Sequence, residues 1–595
     1  LPSNIIDRAE GVRGGGSAMY GGNAIAGIVN IITKEPLKNT FDIAINRALI
    51  NNEAHDRTMN FNGSIVSDNL KSGITYYGFF RNRNQWDANG DGFSEMVKLK
   101  NNSFGFKTFY NTSERRKINF ETFYINEFRR GGNKFDLSPH QADITEQLSH
   151  DIITSELSLE HVSEDNKYKV KAFSSFQLIK RDSYYGGGGN FINSSDSLTE
   201  NSILSINAYG NSNGLSVISG LQHNLFINSK LTSTIGFEYL YNQVTDKMPG
   251  YGRIIDQQVG NWGSFAEAEI KPTRRLTILI GGQFDQLKIL GRYDLEKETF
   301  DNDKSFVVFV PRLSGMYKIT ESLKLRTSYV EGYRGPQAFD EDLHIETVGG
   351  AASFHQLSSD LDVEKSNSTT FSLNYDEFVG KNQMNFVVEG FYTRLHNPFI
   401  FTNREELPSG VSVETKRNGK GATASGLNLE ANIAFGNKTT LSSGATIQKA
   451  RYDIQEVIWA HDNSTDTSIP ATVTRRFLKT PNSYGYFSLV YRPLKRLSIS
   501  YSGIVTGSML IPHVVDVSTE RTILKTTSKF FENNIKLRYS FKTINGYQLE
   551  LSGGAQNILN SYQDDFDLGF QRDAGYIYGP LRPKTVFLGL SFNLI

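Results

Sequence analysis

Apolar and polar side chains alternate along most of this chain. In "RLTILIGGQFDQL", Leu276, Ile278, Ile280, Gly282 and Phe284 fall on one face, and Arg275, Thr277, Gln283 and Asp285 fall largely on the other. A period of two predicts an extended strand with unlike faces. The pattern recurs in "LKLRTSYVEGYR", where Leu323, Leu325 and Tyr329 oppose Lys324, Arg326 and Ser328, and in "TTFSLNYDEF" with Phe371, Leu373 and Tyr375. The last segment, "TVFLGLSFNLI", sets Val586, Leu588, Leu590, Phe592 and Leu594 on one side. No segment tested shows a helical period.

The connections alternate too. Short polar turns ("VSDN" from Val66, "VSEDN" from Val162, "INSK" from Ile227, "TES" from Thr320) take turns with long irregular segments at Arg129–His150, Ser183–Asn213, Gly335–Asp362 and Asn397–Ser425. Turns at one rim and long loops at the other predict an all-β, antiparallel transmembrane barrel. About 22 strand-like segments fit between Phe41 and Ile595, a size whose lumen needs a plug. A propeller would repeat blades of equal length, and no such repeat is present.

Composition agrees with this reading and removes other classes. Sixty-three basic side chains balance 63 acidic ones, so charge gives no case for a nucleic-acid partner. There are 53 Gly and 15 Pro, 40 Phe and 28 Tyr, and no Cys, which favours strands and rules out disulfides or thiolate metal sites. Mean hydropathy is −0.38 and no apolar run approaches the length of a membrane helix, yet a barrel hides its lipid face in alternate residues. No secretory signal is visible, as expected of a processed chain.

The opening stretch "IDRAEGVRGGGSAMYGGNAIAGIVNIITKEP" resembles the end of the plug domain of TonB-dependent outer-membrane receptors. The resemblance continues in "GYRGPQAFDEDLHIE" with "LDVEKSNS", in "NGKGATASGLNLEANIAF", and in "GAQNILNSYQDDFDLGFQRDAGYIYGPLRPKTVFLGLSF". It implies that residues 1–36 end a plug and residues 37–595 form the barrel. It also implies more plug and a segment engaging the TonB-ExbB-ExbD complex ahead of Leu1. The chain ends in Ile595 where such barrels usually end in an aromatic, which leaves Phe592 to carry that signal.

By this resemblance the protein is a bacterial outer-membrane importer, multi-pass in outer-membrane lipid, that takes up a small-molecule metal chelate. A ferric siderophore or haem is the first expectation. A cobalamin importer with calcium-ordered loops is the alternative, and a passive pore or adhesin the third. A surface lipoprotein is a further candidate partner. No nucleophile elbow, HExxH or cysteine suggests an enzyme, and no resident cofactor is required.

Candidate chemistry lies in the loops. Gly14–Gly16 with Gly21 and Gly22 lack the Lys-Ser/Thr of a phosphate loop, whereas Arg13 beside them is expected to pair with carboxylates of the barrel wall. In "DANGDGFSE", Asp87, Asn89 and Asp91 match half of an EF-hand loop, but the twelfth position is Lys98. They are candidate calcium ligands, with Asp143 and Asp151 as candidate partners, and an ordinary Asx turn is the competing expectation. His140, Asp143, Glu146, His150 and Asp151 are predicted to share one outer loop and contact a metal chelate. Arg334, Asp342, His344 and His355 are candidates from the Gly335–Asp362 loop and its edge. Trp86, Tyr184, Tyr185, Phe399 and Phe401 are predicted at loop bases, where they could line a pocket or form an interfacial girdle.

Overall fold

Alternation in sequence becomes two chemically distinct surfaces once the strands pair. The computed structural model describes residues 5–13, 25, 27–188, 199–295, 298–337, 354–401, 405–406, 412–460, 469–516, 521–569, 572–573 and 575–594. Its dominant feature is a closed barrel of 22 antiparallel strands. The first, Thr40–Ile50, closes on the last, Thr585–Leu594, with Phe41 opposite Leu594 and Ile50 opposite Thr585. Closure leaves no sheet edge with unpaired amides, which is what a chain crossing lipid requires.

The outward face is the apolar one. Ile280, Phe284, Phe371, Leu588 and Leu590 are all exposed on it, while Gln283 and Asp285 of the intervening positions are buried on the lumen side. Such rows are hydrated at a cost in water and are stable in lipid. Strands of 20 residues (Leu276–Leu295) and 21 (Glu298–Lys318) exceed the 9–11 needed to cross a bilayer, so their outer ends stand above it.

The rims differ as predicted. On the inner rim, strands join through turns such as 67–71, 163–167, 229–230 and 319–322. The "VSEDN" turn is fixed by its own side chains. Ser163 Oγ donates to Asp165 Oδ1 (2.7 Å), the Tyr168 amide donates to Ser163 Oγ (3.0 Å), and Asn166 takes a positive φ of 56°. The outer rim carries 84–93, 133–144, 187–208, 335–363, 397–421, 460–482, 507–529 and 557–584.

Two of the long segments differ from their expected irregular form. The segment Arg129–His150 is not one loop, because strands Arg116–Gly132 and Thr145–Val162 extend into it and place Glu146, His150 and Asp151 on the wall. The long strands project past the lipid, where alternation fades and polar residues continue the ladder. The segment Ser183–Asn213 holds a helix, Glu200–Asn207, started by Thr199, whose side chain accepts from the Ser202 amide. Two turns are too short to show a period. Tyr184 and Tyr185 lie on the strand Tyr168–Gly186 and are core residues, described below.

A two-stranded sheet, Ile6–Arg13 with Gly27–Thr33, precedes the barrel. Wall residues hold it and its flanks. Lys107 Nζ donates to Thr33 Oγ1 (3.0 Å), Lys117 pairs with Glu35 (3.0 Å), and Ser366 Oγ donates to the Ile25 carbonyl (3.2 Å). Arg13 ends its strand opposite Gly27, and its side chain lies outside the described residues.

Candidate functional site

The mouth is partly covered by a small sheet built from two long outer loops. Phe354–Leu357 of one pairs in parallel with the segment from Val413 to Lys416 of the other, and Phe399–Phe401 adds to the other side of Ser412–Asn418. Side chains fasten the two loops together. Asn418 accepts from the Asp362 amide (2.8 Å) and donates to the carbonyls of Asp362 (3.1 Å) and Asn397 (3.0 Å). Lys304 on the wall donates to the carbonyls of Ser359 (2.8 Å) and Leu361 (3.0 Å).

Where these loops meet the wall, cations and aromatic rings converge. Arg334, at the outer end of the strand Leu323–Arg334, is held by Glu364 on the next strand at 2.9 Å and lies 4.9 Å from the Phe399 ring centre. Its side chain remains 46% exposed, so donors on the guanidinium still face the mouth. Lys416 sits 5.4 Å from the Phe399 ring and 5.7 Å from Phe401, and donates to the Gln337 carbonyl (3.2 Å). Burial, and then the charge of Arg334, push the Lys416 ammonium down to about 7. The ring faces partly compensate for lost water. The half-exposed guanidinium of Arg334 beside the Phe399 ring suits an anionic ligand with flat or oxygen-rich groups, while Lys416 stays buried beneath.

The other predicted residues are placed differently. Tyr184 and Tyr185 are buried with Ala208, Met248, Tyr251, Leu295 and Val413. Tyr251 donates to the Tyr185 carbonyl (2.7 Å). Their rings therefore support the lid, since Val413 belongs to it. His140 Nδ1 is 3.1 Å from the Tyr209 hydroxyl, and Asp143 is engaged by Lys134 (2.6 Å) and Asn133 (2.7 Å). His150 lies between Glu127 and Arg181 in register, on the lumen side. Asp151 turns to the outer face, where Tyr124 and Asn126 donate to it. Among the described residues no group of three or more His, Cys, Asp or Glu is placed to hold a metal. Asp342 and His344 lie outside the described residues, as does the side chain of His355.

The Asp87–Asp91 loop is outer, as expected, and its oxygens meet N–H donors. Asp87 accepts from the amides of Asn89, Gly90 and Gly92, and Asn89 accepts from the Asp91 amide. Asp91 accepts from the amides of Phe93 and Gly569 and from Arg572. Burial pushes the Asp91 carboxyl up, but these amides and Arg572 outweigh it and hold it below the usual range. The partner of this loop is thus Arg572 on the last outer loop, in place of Asp143 or Asp151.

The polar core of that last loop carries no local signal in the chain. His513 Nε2 lies 3.0 Å from both oxygens of Asp567 and its ring stacks on Tyr576 at 3.8 Å. Asp565 accepts from Lys525 (2.8 Å), Tyr576 (2.8 Å) and Tyr578 (2.6 Å). These contacts tie the hairpin Leu510–Asp516 and Arg521–Thr526 to the loop 557–584.

The barrel with such a mouth matches a known family. The model of the TonB-dependent receptor-like β-barrel matches residues 38–558. The chain belongs to the TonB-dependent receptor family. It is therefore an outer-membrane protein, in a family of receptors and not of enzymes. No curated protein sequence matches it. Among solved structures, this receptor resembles the siderophore receptor PirA of Acinetobacter baumannii (TM-score 0.72, 13% identity, covering 100% of this chain and 86% of that one). It also resembles the ferripyoverdine receptor of Pseudomonas aeruginosa (0.70, 12%, 99% and 76%) and the alcaligin receptor FauA of Bordetella pertussis (0.66, 13%, 99% and 82%). At these identities the likeness is one of fold. The cation and ring positions at the mouth of this receptor stand on its own geometry.

Proposed function

We propose that this receptor imports a ferric siderophore across the outer membrane, drawing energy from a TonB-ExbB-ExbD complex. The observation that carries the reading is the meeting of Arg334, Phe399 and Lys416 under a two-loop lid at the mouth of the barrel. A ferric chelate with residual negative charge and planar metal-binding groups meets a half-exposed guanidinium and ring faces there, with Lys416 buried behind them. Residues 1–36 are read as the end of the plug, which the contacts of Thr33, Glu35 and Ile25 with the wall support. A calcium-ordered cobalamin site gains no support from Asp87, Asn89 and Asp91, whose side-chain oxygens already meet N–H donors. The test is binding of a panel of ferric siderophores, haem and cobalamin to the purified receptor, with growth of a deletion strain on each as iron or cobalamin source. Saturable binding and growth restored by at least one ferric siderophore are expected. Restoration by cobalamin or haem alone would overturn the reading.

A further inference from the structure

The lumen wall holds two acids that the fold leaves without a counter-charge. Glu238, Gly263, Asp285 and Val308 form one cross-strand row on the strands Leu231–Met248, Arg253–Ile270, Leu276–Leu295 and Glu298–Lys318. Asp285 is fully buried and Glu238 half-buried, and neither forms an ion pair with another described residue. The inward cations four residues to either side of Val308 are engaged elsewhere. Glu267 takes Arg312 (3.3 Å), and the carbonyls of Ser359 and Leu361 take Lys304.

The buried oxygens here are also short of donors. Gln283 Nε2 (2.8 Å) and Asn261 Nδ2 (3.2 Å) both donate to Asp285 Oδ1. Asp285 Oδ2, Gln283 Oε1 and Asn261 Oδ1 are then shielded from solvent with no hydrogen-bond partner among the described residues. The Tyr333 hydroxyl lies beside the same carboxylate without closing a bond to it. An ionised acid and two carbonyl oxygens held dry in this way are unfavourable unless a positive centre joins them. A proton would satisfy one oxygen, and a Lys or Arg from the lumen has no opening to Asp285, which is 0% exposed. A bare ion serves all three oxygens and both charges. Gly263 makes the two acids neighbours, because a Cβ there would lie 2.7 Å from Asp285 Oδ1 and 3.0 Å from Gln283 Nε2. The carboxylate thus occupies the space of the missing side chain, on the side of Glu238.

We propose that Asp285, Glu238, Gln283 and Asn261 form a cation site in the lumen wall, taking a hard divalent ion of the calcium class through oxygen donors alone. Two carboxylates match the charge of the ion, and the amide carbonyls add neutral ligands. Water entering beside the half-buried Glu238 completes the roughly 6–8 oxygens such an ion prefers. Softer metals would want imidazole or thiolate, which the cluster lacks. An ion held here ties three neighbouring wall strands together through side chains as well as through the ladder.

The experiment uses the purified receptor in nonionic detergent, stripped with chelator and exchanged into metal-free buffer. Terbium is the probe, read by luminescence sensitised through tyrosine and displaced by calcium. The native receptor is expected to bind it saturably. Asp285→Asn should weaken binding by more than about a hundredfold and Glu238→Gln by about tenfold or more, since even the outer partners of a metal ligand are worth about tenfold to a hundredfold. Gly263→Ala keeps both acids but pushes the carboxylate aside, and should weaken binding as well. Asp301→Asn/Asp303→Asn, exposed on the outward face, should bind as the native protein does, which sets aside ions held loosely at the surface. Calcium should raise the temperature of heat-modifiable gel migration for the native barrel and not for Asp285→Asn, and the same gels show that each variant is assembled. If Asp285→Asn does not assemble, Glu238→Gln and Gly263→Ala are read in its place. Absence of saturable binding by the native receptor means that a proton or water serves the cluster, and overturns the proposal. Native-like binding by the variants of the cluster overturns it equally.

Discussion

Arg572 on the last outer loop reaches back to the loop of Asp91, with Nη1 2.8 Å from Glu95 Oε1 and Nη2 on Asp91. Both carboxylates are nearly buried, and the guanidinium also lies 4.6 Å from the Phe93 ring. One cation thus joins the last outer loop to the loop 84–93, across the seam where the barrel closes.

Replacing Arg572 with Ala strands two acids away from water. Breaking a buried pair costs about 3–5 kcal/mol, and the loss falls on the docking of the two loops. Faster hydrogen exchange at Asp87–Phe93 is expected while the barrel strands keep their protection. Arg572→Lys should recover little, because one ammonium cannot serve both acids with the geometry of the fork. Unchanged exchange in the Ala variant would show that the pair does not hold the loops.

Arg334 presents donors to the mouth while Glu364 and Phe399 hold it in place. On the siderophore reading, Arg334→Ala should weaken ferric-siderophore binding about tenfold to a hundredfold, the range for a lost hydrogen bond to a charged group. Arg334→Lys should recover only part of this. Fluorescence quenching by the bound chelate measures it, and native affinity in the Ala variant would remove Arg334 from the binding surface.

Lys416 gives the lid a pH dependence with a definite sign. Its ammonium is pushed from an ordinary 10.5 down to about 7 when the lid is docked. Between those values the undocked, hydrated side chain holds a proton that the docked one lacks, so docking strengthens as pH rises from about 7 toward 10.5. Below about 7 both forms are protonated and docking is weakest and flat. A spin label at Arg417→Cys should therefore be more mobile at pH 6 than at pH 9. Lys416→Met should leave the label equally immobile at both, and a pH-independent label in the otherwise native chain would refute this account.

The last strand tests the two faces of the wall. Leu590 is 48% exposed on the lipid side, whereas Asn593 faces the lumen with its amide turned to Asp42. Arg at position 590 should cost roughly 2–4 kcal/mol of assembly near the bilayer midplane, and Arg at 593 much less, since Asp42 can receive it. Heat-modifiable migration of the two variants compares them, and equal tolerance would be inconsistent with the assigned faces.

Local pattern carried the barrel. Leu276 to Phe284 and Val586 to Leu594 announce their lipid face by period alone, and the Ser163–Asp165 turn announces its rim by residue type. The outer ends of the long strands carry no such signal, because beyond the lipid both faces meet water and the period fades. The site was less legible, since its contacts span large separations. Phe399 and Arg334 were visible as candidates, but nothing near Lys416 in "VETKRN" shows that it lies among those rings. Tyr184 and Tyr185 read equally as pocket or girdle residues, because an aromatic pair at a loop base has the same composition whether it meets ligand, lipid or Val413.

The parallel pairing of Phe354–Leu357 with the segment from Val413 to Lys416 has an evolutionary consequence. Neither loop owns the lid, so a replacement of 397–421 alone leaves a strand in 335–363 without its partner and Asn418's three backbone contacts unmade. Drift in one loop is therefore checked by the other, and a change of cargo is inherited most readily when both segments are exchanged together. Chimaeras carrying one foreign loop are the intermediates that selection would remove.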